Sequence, residues 1–188
     1  MSAPPEVPQV VERAYDVSRR RGFVSFCRNE TGRLLATLAA TRSGTLAEFG
    51  TGTGVGTAWL RSGMRNGSRI VSAELDPKLA GAAAEIFTGD EQVEVVAADW
   101  STLRDRGPFS LLFLDAREPN DSGPDTVADL VEAGGVVVLD DFTPCESWPP
   151  VYGGRVDTLR EEWLVDDRFT TVEVMVAADT SVIIATKR

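Results

Sequence analysis

A doubly wound α/β sheet is the fold the sequence predicts, on three observations. Apolar, strand-like runs alternate with helix-like segments, two of those runs are apolar almost throughout, and the final two are separated by a short turn. Strands buried on both faces, as residues 109–114 and 136–139 read, belong to the centre of a parallel sheet covered by helices. A short turn requires antiparallel pairing, so the chain should end in a hairpin at the sheet's edge.

In chain order, residues 8–21 and 30–40 have helical spacing, with Gly22 as the stop between them. A strand at 46–49 runs into a glycine-rich turn and a helix near 58–62. Strand 70–74 follows, then a helix from Pro77, which sits in the favoured first turn behind Asp76 as N-cap. Strands are expected at 93–97, 109–114 and 136–139, with a helix at 126–132 closed by Gly134 and Gly135. Beyond a proline-rich loop come a helix at 157–164 and strands at 169–176 and 181–186, around the turn Ala178-Asp179-Thr180. With no internal repeat or linker, residues 1–188 read as one domain.

Composition removes several function classes. The chain has no histidine, so His-dependent triads, His-ligated metals and a histidine base are excluded; a metal would need oxygen ligands. A formal net charge of −10 disfavours nucleic acid, although Arg13, Arg19, Arg20 and Arg21 share a helix that is either a solvated face or a contact for an acidic partner. No apolar run reaches the about 18–20 residues that span a bilayer, so no membrane is expected. Cys27 and Cys145 read as free thiols of a reducing compartment, hence a cytoplasmic protein.

The sharpest signal is Glu48-Phe49-Gly50-Thr51-Gly52-Thr53-Gly54-Val55-Gly56, at the turn from the first strand into its helix. Alternate glycines allow a ligand to approach the backbone without Cβ clashes. The dinucleotide fingerprint needs glycine at the first, third and sixth positions, but the sixth is Val55 counted from Gly50 and Thr57 counted from Gly52. The P-loop pattern also fails, because no Gly-Lys-Ser or Gly-Lys-Thr follows. Glu74 ends the second strand on the same rim, where a carboxylate can accept two hydrogen bonds from a vicinal diol.

These residues resemble the first motif of the class I S-adenosylmethionine-dependent methyltransferases, an acid, one residue, then Gly-x-Gly-x-Gly, matched here by Glu48 to Gly54. The resemblance implies a seven-stranded sheet in the order 3-2-1-4-5-7-6, its last strand antiparallel. It implies a cofactor site of Glu48, Gly50, Thr51, Gly52, Gly54, Glu74, Asp99, Trp100 and Asp115, with Glu74 on the ribose and Asp99-Trp100 at the adenine. Trp100 is open to a second reading, as packing.

Asp115 and Asp140 should end neighbouring strands, about 4.8 Å apart, with Asp141 adjacent. Carboxylates that close repel, and need a cation, a base, hydrogen-bond donors or a raised pKa. Without histidine, a hard divalent ion (Mg²⁺, Ca²⁺ or Mn²⁺) on Asp115, Asp140 and Asp141 is one answer; service as loop caps or orienting acceptors is the other. Their placement resembles the cation-dependent catechol and caffeoyl-coenzyme A O-methyltransferases, from about Asn29 onward. That resemblance makes the three Asp residues catalytic as well as metal ligands. Two departures stand out: Asp141 replaces the family's Asn, and Glu118, beside Arg117, falls on its catalytic Lys.

The long loop from Phe142 to Gly154 is a candidate lid or wall. Trp148 and Tyr152, with Phe23 and Phe26 from the N-terminal helical region (residues 1–42), either shape an acceptor pocket or pack the loop. The expected reaction is methyl transfer to oxygen of a small hydroxylated or aromatic acceptor. Transfer to nitrogen or carbon, and cofactor binding without catalysis, stay open, as does a homodimer.

Overall fold

The computed structural model describes residues 6–116 and 123–188. Two helices, α1 (Gln9–Arg21) and α2 (Asn29–Ala39), precede the sheet. α1 stops at Gly22, which takes a left-handed conformation (φ 63°) that glycine adopts without Cβ strain, and the Phe23 N–H returns to the Ser18 carbonyl. Strands and helices then alternate: β1 (Thr45–Phe49), α3 (Val55–Gly63), β2 (Arg69–Glu74), α4 (Pro77–Ile86) and β3 (Val93–Ala97). Asp76 caps α4 by accepting from the Lys78 N–H at 2.7 Å.

A 3₁₀ helix (Trp100–Arg106) joins β3 to β4 (Phe109–Leu114). The short α5 (Pro124–Val127) and a 3₁₀ turn (Ala128–Leu130) lead into β5 (Val131–Phe142). A two-stranded ribbon, β6 (Val151–Tyr152) with β7 (Arg155–Val156), lies within the proline-rich segment, before α6 (Thr158–Val165), β8 (Phe169–Ala177) and β9 (Thr180–Lys187).

The large sheet has the order β3-β2-β1-β4-β5-β9-β8, the order the resemblance implies, with β9 antiparallel to both neighbours. Its central strands bury alternate residues on opposite faces. Leu46, Leu111, Phe113, Val136 and Val138 pack beneath α1, α2 and α3, whereas Phe49, Leu112, Leu114, Val137 and Leu139 pack against Leu103, Val127 and Trp163. α2 and α3 meet at two glycines: a Cβ on Gly32 would fall on the Trp59 ring, and one on Gly63 on the Ala36 carbonyl.

Two expectations are corrected. The helix expected at 126–132 ends early, because Val131 already pairs with Phe109 of β4. Gly134 (φ 77°) and Gly135 serve a register shift inside β5; a Cβ on Gly135 would stand 2.8 Å from the Phe109 carbonyl oxygen. The last turn is the two residues Ala178 and Asp179, since Thr180 pairs with Ala177. No helix among the described residues is long and apolar enough to cross a membrane.

Candidate active site

β1 ends at the glycine loop because its neighbours hold it there: the Gly50 and Thr51 N–H groups donate to the Ala73 carbonyl of β2 at 3.0 and 3.2 Å. Gly50 (φ 104°) comes so close to β4 that a Cβ would meet the Asp115 carbonyl oxygen at 2.7 Å. The Gly52 N–H donates to Glu74 Oε2 at 2.8 Å, and the other oxygen of Glu74 accepts the Asp76 N–H at 2.9 Å. Thus the loop and the acid after β2 form one unit, at the carboxyl ends of the strands where open α/β sheets bind ligands.

A cavity of about 110 Å³ opens on this unit, lined by Gly50, Thr51, Gly52, Glu74, Asp115 and Phe23, among others. The Phe23 ring lies 3.0 Å from where a Gly52 Cβ would stand and narrows the space. Beside it lies a second cavity of about 610 Å³, lined by Asp115, Asp140, Asp141, Phe142, Tyr152 and Asp157 and continued by Val156 and Leu159. Ser25, Asp115 and Ala116 border both, so the two spaces meet at Asp115.

Glu48 lies below the loop, wholly buried. Its Oε2 accepts from the hydroxyls of Ser72 (2.6 Å) and Thr57. Burial pushes its carboxyl up to about 7, against the lowering effect of those donors. Burial, then the charges of Glu48 and Asp140, hold the Asp115 carboxyl well above the ordinary range.

Asp140 is buried, accepts from Thr31 Oγ1 (3.2 Å) and the Asp141 N–H (2.8 Å), and is pushed up to about 6, chiefly by burial. Asp141 adopts φ 67° at an irregularity in the β5–β9 pairing between Leu139 and Phe142, a left-handed position that aspartate tolerates better than most residues.

Several assigned residues take other places. Gly54 lines neither cavity: it begins α3 with φ 88° and packs against α4, where a Cβ would meet Ala83 at 3.2 Å. Asp99 caps the 3₁₀ helix through the Ser101 N–H (2.9 Å), and the Ser101 side chain, then that backbone bond, lower its pKa. Trp100 packs on Phe49, ring centroids 5.0 Å apart, beneath Arg104.

Phe23 and Phe26 line the glycine-loop cavity rather than the larger one, because the turn at Gly22 carries the chain over Gly52. Trp148 is exposed at 63% and borders neither cavity; its loop bonds to itself, Ser147 Oγ donating to the Pro149 carbonyl at 3.1 Å. Tyr152 does reach the larger cavity. Glu118 and Arg117 lie outside the described residues.

Sequence reasoning missed Ser25, Thr31, Asp157 and Arg160. Asp157 had a legible signal, as an acid before a helix, and it caps α6. Arg160 had none: it is buried, paired with Glu173, and donates to the Thr143 carbonyl at 2.7 Å, holding the strand end that carries Asp140 and Asp141.

Among the described residues no group of three or more Asp, Glu, Cys or His stands where it could hold a metal ion. Asp115, Asp140 and Asp141 share a cavity wall but do not close into a ligand set as placed.

Residues 47–142 match a family model described as a methyltransferase domain. The chain is 33% identical over 119 residues to a protein named a probable O-methyltransferase in Mycobacterium tuberculosis, an alignment covering 57% of this chain and 52% of that one. The chain thus spans about half the length of the curated relatives it matches. Among solved structures, the Bacillus cereus O-methyltransferase in complex with S-adenosylhomocysteine superposes with a TM-score of 0.74 at 20% identity, over 97% of this chain and 92% of that one. A methyltransferase of Podospora anserina with the same ligand gives 0.78 at 20% identity, over 97% and 89%. At these identities the structural likeness establishes the fold.

Proposed function

We propose, from the premise that the chain belongs to the methyltransferase-domain family, that it transfers the methyl group of S-adenosylmethionine to an oxygen of a small acceptor. The observation that carries this reading is the meeting of two cavities at Asp115, one on the glycine loop and Glu74, the other walled by carboxylates and Tyr152.

The residues fit the cofactor by their chemistry. Gly50 and Gly52 leave backbone bare where side chains would intrude, and Glu74 stands beside them with oxygens suited to a ribose diol. At about 110 Å³ the cavity is below the roughly 300 Å³ of a typical ligand site, so the Phe23 ring must withdraw from Gly52 for a nucleoside to seat fully. The cofactor, when bound, supplies an electrophilic methyl on a sulfonium.

The chain's own contribution is alignment. The loop and Glu74 fix one reactant, the Asp115 junction places it against the other, and such orientation is worth several kcal/mol of barrier. Asp115, whose carboxyl burial holds well above the usual range, is placed to keep a proton at its carboxylate oxygens beside the acceptor.

A divalent cation on Asp115, Asp140 and Asp141 belongs to the proposal as a separate part. Three carboxylates on one cavity support it, and as placed they do not close around an ion. The same acidic wall, with Asp157, favours an amine nitrogen as the second reading of the acceptor.

Calorimetry with S-adenosylmethionine and S-adenosylhomocysteine tests the core claim. Both should bind, and Glu74→Ala should weaken binding by tenfold or more, about 1.4 kcal/mol; no heat with either ligand rejects the reading. Labelled cofactor offered to a panel of phenols, catechols and amines, with product masses read in chelator and in Mg²⁺, separates oxygen from nitrogen transfer. Full turnover in chelator removes the cation.

A further inference from the structure

Glu48 is wholly buried, and its Oε1 has no hydrogen-bond partner among the described residues; it faces Gly56 at the start of α3, close enough that a Cβ there would overlap it. Its other oxygen is the end of a hydroxyl chain. Ser72 Oγ donates to Glu48 Oε2 at 2.6 Å and bonds Thr51 Oγ1 at 2.5 Å; Thr51 in turn lines the glycine-loop cavity. Ser72 is fully buried and Thr51 nearly so, so the chain Thr51–Ser72–Glu48 runs from the ligand space to an acid that water does not reach.

We infer that Glu48 is a proton-linked positioning residue for the cofactor: seating the cationic nucleoside on the glycine loop is coupled to loss of a proton from Glu48, passed along Ser72 and Thr51 to the cavity. The inference rests on reading that cavity as the cofactor site.

The physical argument is one of charge. An isolated buried carboxylate is costly and the Glu74 charge adds to the cost, while burial favours the neutral forms of the nearby Asp115 carboxyl and Cys27 thiol, so in the empty protein the acid holds a proton up to about pH 7. A ligand bearing positive charge above Thr51 reverses that balance through the hydroxyl chain already in place. The step conserves atoms: in the neutral acid Oε2–H donates to Ser72 Oγ and Ser72 to Thr51 Oγ1; that O–H bond breaks, its electron pair stays on Glu48, each hydroxyl takes one proton and passes its own outward, and buffer takes up one proton. In the carboxylate so formed Oε2 accepts from the Ser72 and Thr57 hydroxyls, the arrangement the structure shows, which orients Thr51 and with it the loop.

Titrating S-adenosylmethionine into the full chain in buffers of different ionisation enthalpy reads the proton directly. We expect release of about half a proton at pH 7, more at pH 6 and almost none at pH 8.5, with affinity falling roughly fivefold to tenfold from pH 7.5 to 6. Glu48→Gln should abolish that component while some binding persists; any titration of the ligand's own amino group is common to both proteins and cancels.

Ser72→Ala keeps the acid but deletes a donor to its charged form, so the break in the pH profile should move above 7. A release identical in wild type and Glu48→Gln, an unmoved break in Ser72→Ala, or loss of the release in Asp115→Asn alone overturns the assignment to Glu48. Heat of binding without a Glu48-dependent proton sinks this inference only; no heat at all sinks the cofactor reading with it.

Discussion

Burial of Glu48 has a consequence for stability as well as for binding. Its folded-state pKa of about 7 lies above the ordinary 4.5, so the folded chain holds the proton over a range where the unfolded chain has lost it. Stability of the ligand-free protein should therefore fall as pH rises from about 4.5 to 7 and level off above, a loss of about 3 kcal/mol. Urea melts of wild type and Glu48→Gln should diverge by that amount across the range, the variant gaining; a constant difference would show that Glu48 is ionised in the empty fold. At this scale the sequence was informative where backbone dictates identity. The glycine spacing was legible at Gly50, because φ of 104° with the Asp115 carbonyl 2.7 Å from a would-be Cβ leaves room for glycine alone. The places of Asp99 and Trp148 were not, since capping and exposure depend on where a turn points.

Packing between elements turns on small residues that periodicity does not display. α2 and α3 approach through Gly32 and Gly63, where a side chain would meet the Trp59 ring and the Ala36 carbonyl. Gly63→Ala would drive a methyl into the Ala36 carbonyl, which is backbone and cannot rotate away. It should destabilise the fold by about 1–3 kcal/mol, seen as a lower melting temperature, whereas Gly81→Ala in α4, with open space around its Cβ position, should be neutral or stabilising. Gly134 and Gly135 show the converse. They resemble a helix stop, yet they sit inside β5, because pairing of Val131 with Phe109 outweighs local helical preference.

Across the whole molecule, the sheet brings the glycine loop, Glu74, Asp115 and the end of β5 to one rim, although they are spread from residue 48 to 143 along the chain. A ligand that binds only this assembled rim stabilises the fold by mass action. At one hundred times its dissociation constant, S-adenosylhomocysteine should add about 2.7 kcal/mol and raise the melting temperature by roughly 5–10 °C, an increase that Glu74→Ala should reduce at the same ligand concentration.

By itself the sequence determined the succession of strands and helices, the doubly wound α/β class, and the glycine loop and acid that share one rim of the sheet. Period-two burial, helix caps and glycine spacing are properties of neighbouring residues, so they survive in one dimension. Only the tertiary structure decided that Asp99 and Trp100 cap and pack, that Phe23 lies on the loop, that Arg160 braces the end of β5, and that Glu48 touches the ligand space through two hydroxyls. Each of those depends on the distance and direction between segments far apart in the chain, and on the burial that results, which no local pattern encodes.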